Sequence, residues 1–126
     1  MKVLIPILFL LYVSCSNPCI KNLKQDLAKN WKYDSDKRAY IVNHKFLNEL
    51  DTNYRACLYG KDTTYITKLF GPYYRIDKGG NGMIMLKYGI KSDYAKYAVA
   101  SFFFELDEKF RCRKINYWLY ESTILN

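Results

Sequence analysis

The run LYGKDTTYITKLFGP, from Leu58 to Pro72, carries the signals of one amphipathic helix at both of its ends. Gly60 breaks what precedes it, and Asp62 or Thr63 can accept hydrogen bonds from the first orphan N–H groups. Tyr65, Ile66, Leu69 and Phe70 then recur at the spacing of a buried helical face. Gly71 offers the left-handed residue that closes a helix, and Pro72 forbids its continuation. Downstream the hydrophobic period shifts from helical to two, so this helix is expected to divide a helical first half from a β second half.

Working back from it, AYIVNHKFLNELDTNY predicts the preceding helix. Val42, Phe46, Leu50 and Tyr54 share one face, with Leu47 beside them. Arg55 to Tyr59 is a short link, so the two helices are expected to pack side by side, antiparallel. His44 lies at the polar margin, and no cysteine or serine motif marks a nucleophile for it. Further upstream, Ile20, Leu23, Leu27 and Trp31 make a thin helical stripe, with Trp31 read as a core plug. Tyr33 to Asp36 reads as a polar break, with Ser35 or Asp36 as a candidate N-cap. Asp34 and Asp36 alone supply too few oxygens for a calcium site.

Working forward, Tyr73 to Asp77 predicts a strand, and KGGNG (Lys78 to Gly82) a hairpin connection. That glycine-rich loop lacks the helix start and lysine of a phosphate cradle. Ile84, Leu86, Tyr88 and Ile90 alternate against Met83, Met85, Lys87 and Gly89. In the next strand Ala98, Ala100, Phe102, Phe104 and Leu106 oppose Tyr97, Val99, Ser101, Phe103 and Glu105. From Phe110 to Tyr120 the apolar phase slips between Cys112 and Ile115, which predicts a bulge around Arg113-Lys114. Short connections favour an antiparallel meander. The expected fold is therefore α+β in two layers: two packed helices followed by a three- to four-stranded antiparallel meander sheet.

The chain opens with Met1-Lys2 and an apolar run from Val3 to Val13, closed by Ser14-Cys15. This has the regions of a signal peptide and is shorter than the ~20 residues a spanning helix needs. Cysteine straight after the small residue resembles a bacterial lipobox, although Tyr12 stands where leucine is usual. The expected organisation is a signal peptide over 1–14, a lipid anchor at Cys15 with a tether to 38, the two-layer domain over 39–120 and a tail over 121–126. The net charge of +8 would suit nucleic acid in a cytosolic chain. Export points instead to anionic lipid headgroups or an acidic protein surface.

Cys19, Cys57 and Cys112 remain after Cys15. One disulfide is expected in an oxidising compartment. Cys57 with Cys112 would staple helices to sheet; Cys19 with either partner, or no bridge, are the alternatives. No CxxC spacing and a single histidine argue against a zinc site of ordinary type.

GKDTTYITKLFGP, YYRID, LKYGI and SFFFELDEKFRCRKI together resemble the BamE/SmpA/OmlA family of small outer-membrane lipoproteins. Phe70 replaces the usual leucine before Gly71, and Leu106-Asp107 stands where Phe-Asp is common. The resemblance covers Leu58 to Ile115. It implies a helix–helix–three-strand module shared with β-lactamase-inhibitor-like folds, no enzyme activity, no cofactor, and a role as a protein- and lipid-binding accessory.

The residues themselves agree, for no catalytic triad, HExxH or paired catalytic carboxylates occur. What remains is a surface. Alternation directs Tyr73, Arg75, Lys87, Tyr97, Phe103, Arg111 and Arg113 to the sheet face away from the helices. Aromatics mixed with arginine match the make-up of interface cores. The expected function is a lipid-anchored envelope protein, outer-membrane in location, that binds another envelope protein through this face. The alternative is an inhibitor of an envelope or secreted hydrolase, with KGGNG inserted into a cleft.

Overall fold

The computed structural model describes residues 17–92 and 99–120. Among these described residues three helices and six strands follow one another as α1 (Pro18–Asn30), β1 (Trp31–Asp34), β2 (Ala39–Val42), α2 (His44–Leu58), α3 (Thr63–Phe70), β3 (Arg75–Lys78), β4 (Ile84–Ser92), β5 (Val99–Leu106) and β6 (Cys112–Tyr120). Strands β1, β2, β4, β5 and β6 lie side by side in that order, and β3 also pairs with β4.

This corrects the expected two-helix, antiparallel-meander architecture. The sheet has six strands and is mixed, because β2 runs parallel to β4 with Tyr40 opposite Ile90 and Val42 opposite Ser92. A parallel pair needs a long crossover, and α2, α3 and β3 together provide it. The other pairings, β1–β2, β3–β4, β4–β5 and β5–β6, are antiparallel. Strands β3 and β2 share one edge of β4, β3 covering Ile84 to Lys87 and β2 covering Ile90 to Ser92. The segment before residue 39 is likewise no mere tether, since 17–34 forms a helix and an edge strand.

Each helix starts on a side-chain cap. Asn17 accepts from the Ile20 N–H, Asn43 from Phe46 and Asp62 from Tyr65. Asn43 explains a second correction. The run from Ala39 to Val42, read as the start of a helix, is instead β2, and α2 begins at His44. Tyr40, Ile41 and Val42 are aromatic and β-branched residues that suit a pleated surface, and Asn43 holds the helix boundary. The two sequence-adjacent helices do not form the expected side-by-side pair either. Closest helix packing is between α1 and α2, while the α2–α3 link is stitched to β6. Gly60 N–H donates to the Cys112 carbonyl at 2.7 Å, and Cys112 N–H donates to that of Lys61 at 2.8 Å.

The disulfide joins Cys19 to Cys57, and Cys112 is a buried free thiol. The expected Cys57–Cys112 staple is thus replaced by a bridge from α1 to α2. Cys57 sits near the end of α2 with its face toward α1, whereas Cys112 lies on β6 opposite Leu106.

The core lies between the helices and one sheet face, and its organiser is the C-terminus of α3. Three successive carbonyls there each accept a hydrogen bond from a buried aromatic side chain. Trp31 Nε1–H donates to Phe70, Tyr88 O–H to Gly71 and Tyr40 O–H to Pro72, each at 2.8 Å. Helix ends leave such carbonyls orphaned, and strands β1, β4 and β2 supply one donor apiece. The rings also pack on one another, Trp31 stacking on Tyr40 at 4.8 Å and meeting Phe70 edge-on at 5.2 Å. Gly71 has φ +87°, and a Cβ there would lie 2.5 Å from the Tyr40 hydroxyl oxygen. No other residue fits, for both conformational and steric reasons.

Candidate functional site

Two surfaces stand out, and the first is the outer sheet face. Register places Arg75, Lys87, Phe103 and Asn116 in one row across β3, β4, β5 and β6. The neighbouring row runs Asp77, Met85, Glu105 and Lys114. The Leu106–Cys112 and Glu105–Lys114 pairs differ by one residue, which leaves Arg113 as the bulge residue. The expected phase slip is there, and it turns Ile115 inward and Trp118 outward.

Several charges on this face are paired. Asp77 is held by Lys87 at 2.7 Å and Arg75 at 3.0 Å. The Lys87 ammonium foremost, with Arg75, pulls the Asp77 carboxyl below its usual range. Arg113 lies 3.5 Å from Glu105, a carboxylate only 8% exposed. Phe103 differs from its expected exposure: it is 3% exposed, with its ring edge-on to Trp118 at 5.3 Å. Alternation put it on the correct face, but the pleat does not reveal what lies over that face. Trp118, 57% exposed, is the aromatic this face presents.

The other expected interface residues separate. Arg111 bridges to Asp62 beside the start of α3, at the sheet's end. Tyr73 precedes β3 and lines a cleft rather than the sheet face. Tyr97 and Cys15 lie outside the described residues.

That cleft is the second surface. It fills the notch between β2 and β3 on the β4 edge, has a volume of about 520 Å³, and is lined by Tyr33, Arg38, Tyr40, Pro72, Tyr73, Tyr74 and Gly89. Tyr33, Tyr73 and Tyr74 are substantially exposed, and the Arg75 guanidinium lies over the Tyr74 ring at 5.5 Å. Arg38 has φ +52° at the end of the β1–β2 turn. Asp34 fixes that turn by accepting from the N–H groups of Asp36 and Lys37, which corrects the reading of Ser35 or Asp36 as a helix cap. Sequence reasoning passed over this cleft because its walls come from three separated segments. The only local signal was the clustering of tyrosines, of which the chain has 13.

Burial pushes the Cys112 thiol up to about 12, so it stays protonated. Burial, reinforced by hydrogen bonds to Asp26 and Asp51, likewise raises Tyr54 and Tyr59 to about 12. Tyr54 thereby ties α2 to α1, and Tyr59 ties the end of α2 back to its own Asp51. Among the described residues no group of three or more His, Cys, Asp or Glu could hold a metal ion, and no helix is long and apolar enough to cross a membrane.

No protein-family model, curated protein or solved structure matches the chain.

Proposed function

We propose that this chain is a non-enzymatic cell-envelope protein, lipid-anchored through Cys15, that binds another envelope protein through its outer sheet face. One observation carries the reading: Trp118 stands 57% exposed with its ring edge-on to Phe103, on a sheet face that also carries Arg75, Lys87, Arg113 and Lys114. Exposed tryptophan on a face that also presents arginine is the composition of interface hot spots. The Cys19–Cys57 bridge supports an oxidising compartment, and the apolar run ending at Ser14-Cys15 supports export with a lipid anchor. The +8 net charge suits an acidic partner surface or anionic headgroups beside the anchor. The BamE-like residues of the second half imply outer-membrane protein assembly or envelope maintenance as the setting.

The test is photo-crosslinking in intact cells from a reactive amino acid placed at Lys114 and, as a control, at Lys24 on the exposed side of α1. A discrete adduct from Lys114, weakened by Trp118→Ala and missing from Lys24, supports the proposal. Equal adducts from both positions, or none from Lys114, contradict it. Capture of a soluble hydrolase whose activity then falls would favour the inhibitor reading instead.

A further inference from the structure

The tyrosine-lined notch has features that neither the fold nor the outer face uses. Tyr40 and Tyr88 spend their hydroxyls on the Pro72 and Gly71 carbonyls. Tyr33, Tyr73 and Tyr74, residues 59%, 42% and 71% exposed, make no hydrogen bond to any described residue through theirs. Arg38, on the cleft wall, has no carboxylate partner among the described residues. Its position is built, because the Asp34-capped turn sets the backbone from which it projects. Gly89 contributes only backbone, and a Cβ there would sit 3.6 Å from the Arg38 carbonyl oxygen.

We propose that this cleft binds an acidic saccharide, a sugar ring bearing a carboxylate. Three properties of the site select that chemistry. Its volume of about 520 Å³ falls within the range of small-ligand sites, roughly 300–1,000 Å³. Its walls are tyrosines, each offering a ring face to the C–H side of a sugar and a hydroxyl to its oxygens. A purely apolar ligand would strip water from those hydroxyls without replacing it. The Arg38 guanidinium, without a carboxylate partner among the described residues, then selects a carboxylate, for which its planar fork is the matching donor, and the net charge of +8 favours approach of anions. Strand addition by a peptide does not fit, since β3 and β2 already cover the β4 edge on either side of Tyr88-Gly89. The inference is independent of the outer face and of any protein partner there.

The experiment is titration calorimetry of the full chain, disulfide intact and in detergent, with an oligogalacturonate as probe and its methyl-esterified counterpart as the neutral control. A proline-rich decapeptide is the third arm. The acid is expected to bind at least ~10-fold more tightly than the ester. Arg38→Gln should remove most of that preference, since a hydrogen bond to a charged group is worth roughly a factor of ten or more. Tyr74→Ala should weaken acid and ester together, and its exposed position keeps the fold out of the result. Equal affinity for acid and ester, binding untouched by both variants, binding of the peptide alone, or no heat with the acid at millimolar concentration would each overturn the proposal.

Discussion

The two faces of one sheet use the same residue types to different ends. On the inner face Trp31, Tyr40 and Tyr88 are buried, and their polar atoms cap the last carbonyls of α3. On the outer face Phe103 is just as buried as they are, yet it stands apart from the main core cluster and packs on a half-exposed Trp118. Burial alone does not separate structural from functional aromatics. What separates them is whether the ring's neighbours are helices or solvent-facing side chains, and whether its polar atom is committed.

The most damaging single truncation should be on the inner face. Phe104, fully buried against Phe70 and Phe102, should cost ~3–5 kcal/mol on replacement by alanine, measured by denaturant unfolding. Phe103→Ala should cost about half that, or ~2 kcal/mol, because Lys87, Asn116 and Trp118 flank it in place of helices. Equal losses for these neighbours would erase the distinction between the faces.

Next in size is the α1–α2 bridge. Replacing Cys19 and Cys57 by serine should lower stability by ~2–4 kcal/mol, and Cys112 cannot compensate while buried. Peptide mapping under non-reducing conditions checks the pairing itself. Recovery of Cys57 linked to Cys112 would restore the helix-to-sheet staple and refute the present connectivity.

The carbonyl clasp predicts a smaller and more specific effect. Tyr88→Phe keeps the ring and removes the donor to Gly71, so the part-buried carbonyl is left unsatisfied at ~1–3 kcal/mol. Tyr117→Phe, which loses only an exposed hydrogen bond to Asn48, should change stability by at most ~0.5 kcal/mol.

The smallest effect is one of pH. Tyr54 and Tyr59 are raised in the folded state from 10.0 to about 12. Their contribution is therefore whole below pH 10 and is lost as pH rises through about 12. Asp77 and Asp107 are lowered, so theirs is present above the ordinary carboxylate range and fades as pH falls below it. Alkaline melts of a Tyr54→Phe, Tyr59→Phe double variant should show a shallower decline above pH 10 than the parent. An unchanged slope would remove these tyrosines from the account.

How much of this was legible follows the range of each signal. The central helix was readable because Asp62, Gly71 and Pro72 act within a few residues of themselves. So were the alternation of β4 and β5 and the bulge at Arg113, which need only a period and a break in it. Strand β2 was misread because Tyr40, Ile41 and Val42 run unbroken into the apolar pattern of α2, and only Asn43 marks the join. Its parallel pairing with β4 was illegible, since chain-neighbour rules say nothing about strands separated by two helices. The cleft escaped for the same reason: Tyr33, Arg38 and Tyr74 meet only once β2 and β3 are placed on one edge. Cysteine spacing left the disulfide open among several pairings, and Phe103 showed its side of the pleat but not its cover.

Trp118→Ala measures most directly whether the outer face is a working surface, when unfolding and crosslinking from Lys114 are followed on the same variant. Loss of the edge contact with Phe103 should cost stability only about 1 kcal/mol, while the Lys114 adduct falls severalfold. A variant that unfolds as readily as Phe104→Ala yet keeps its adduct would show that Trp118 serves the fold, and the outer face would then be no interface.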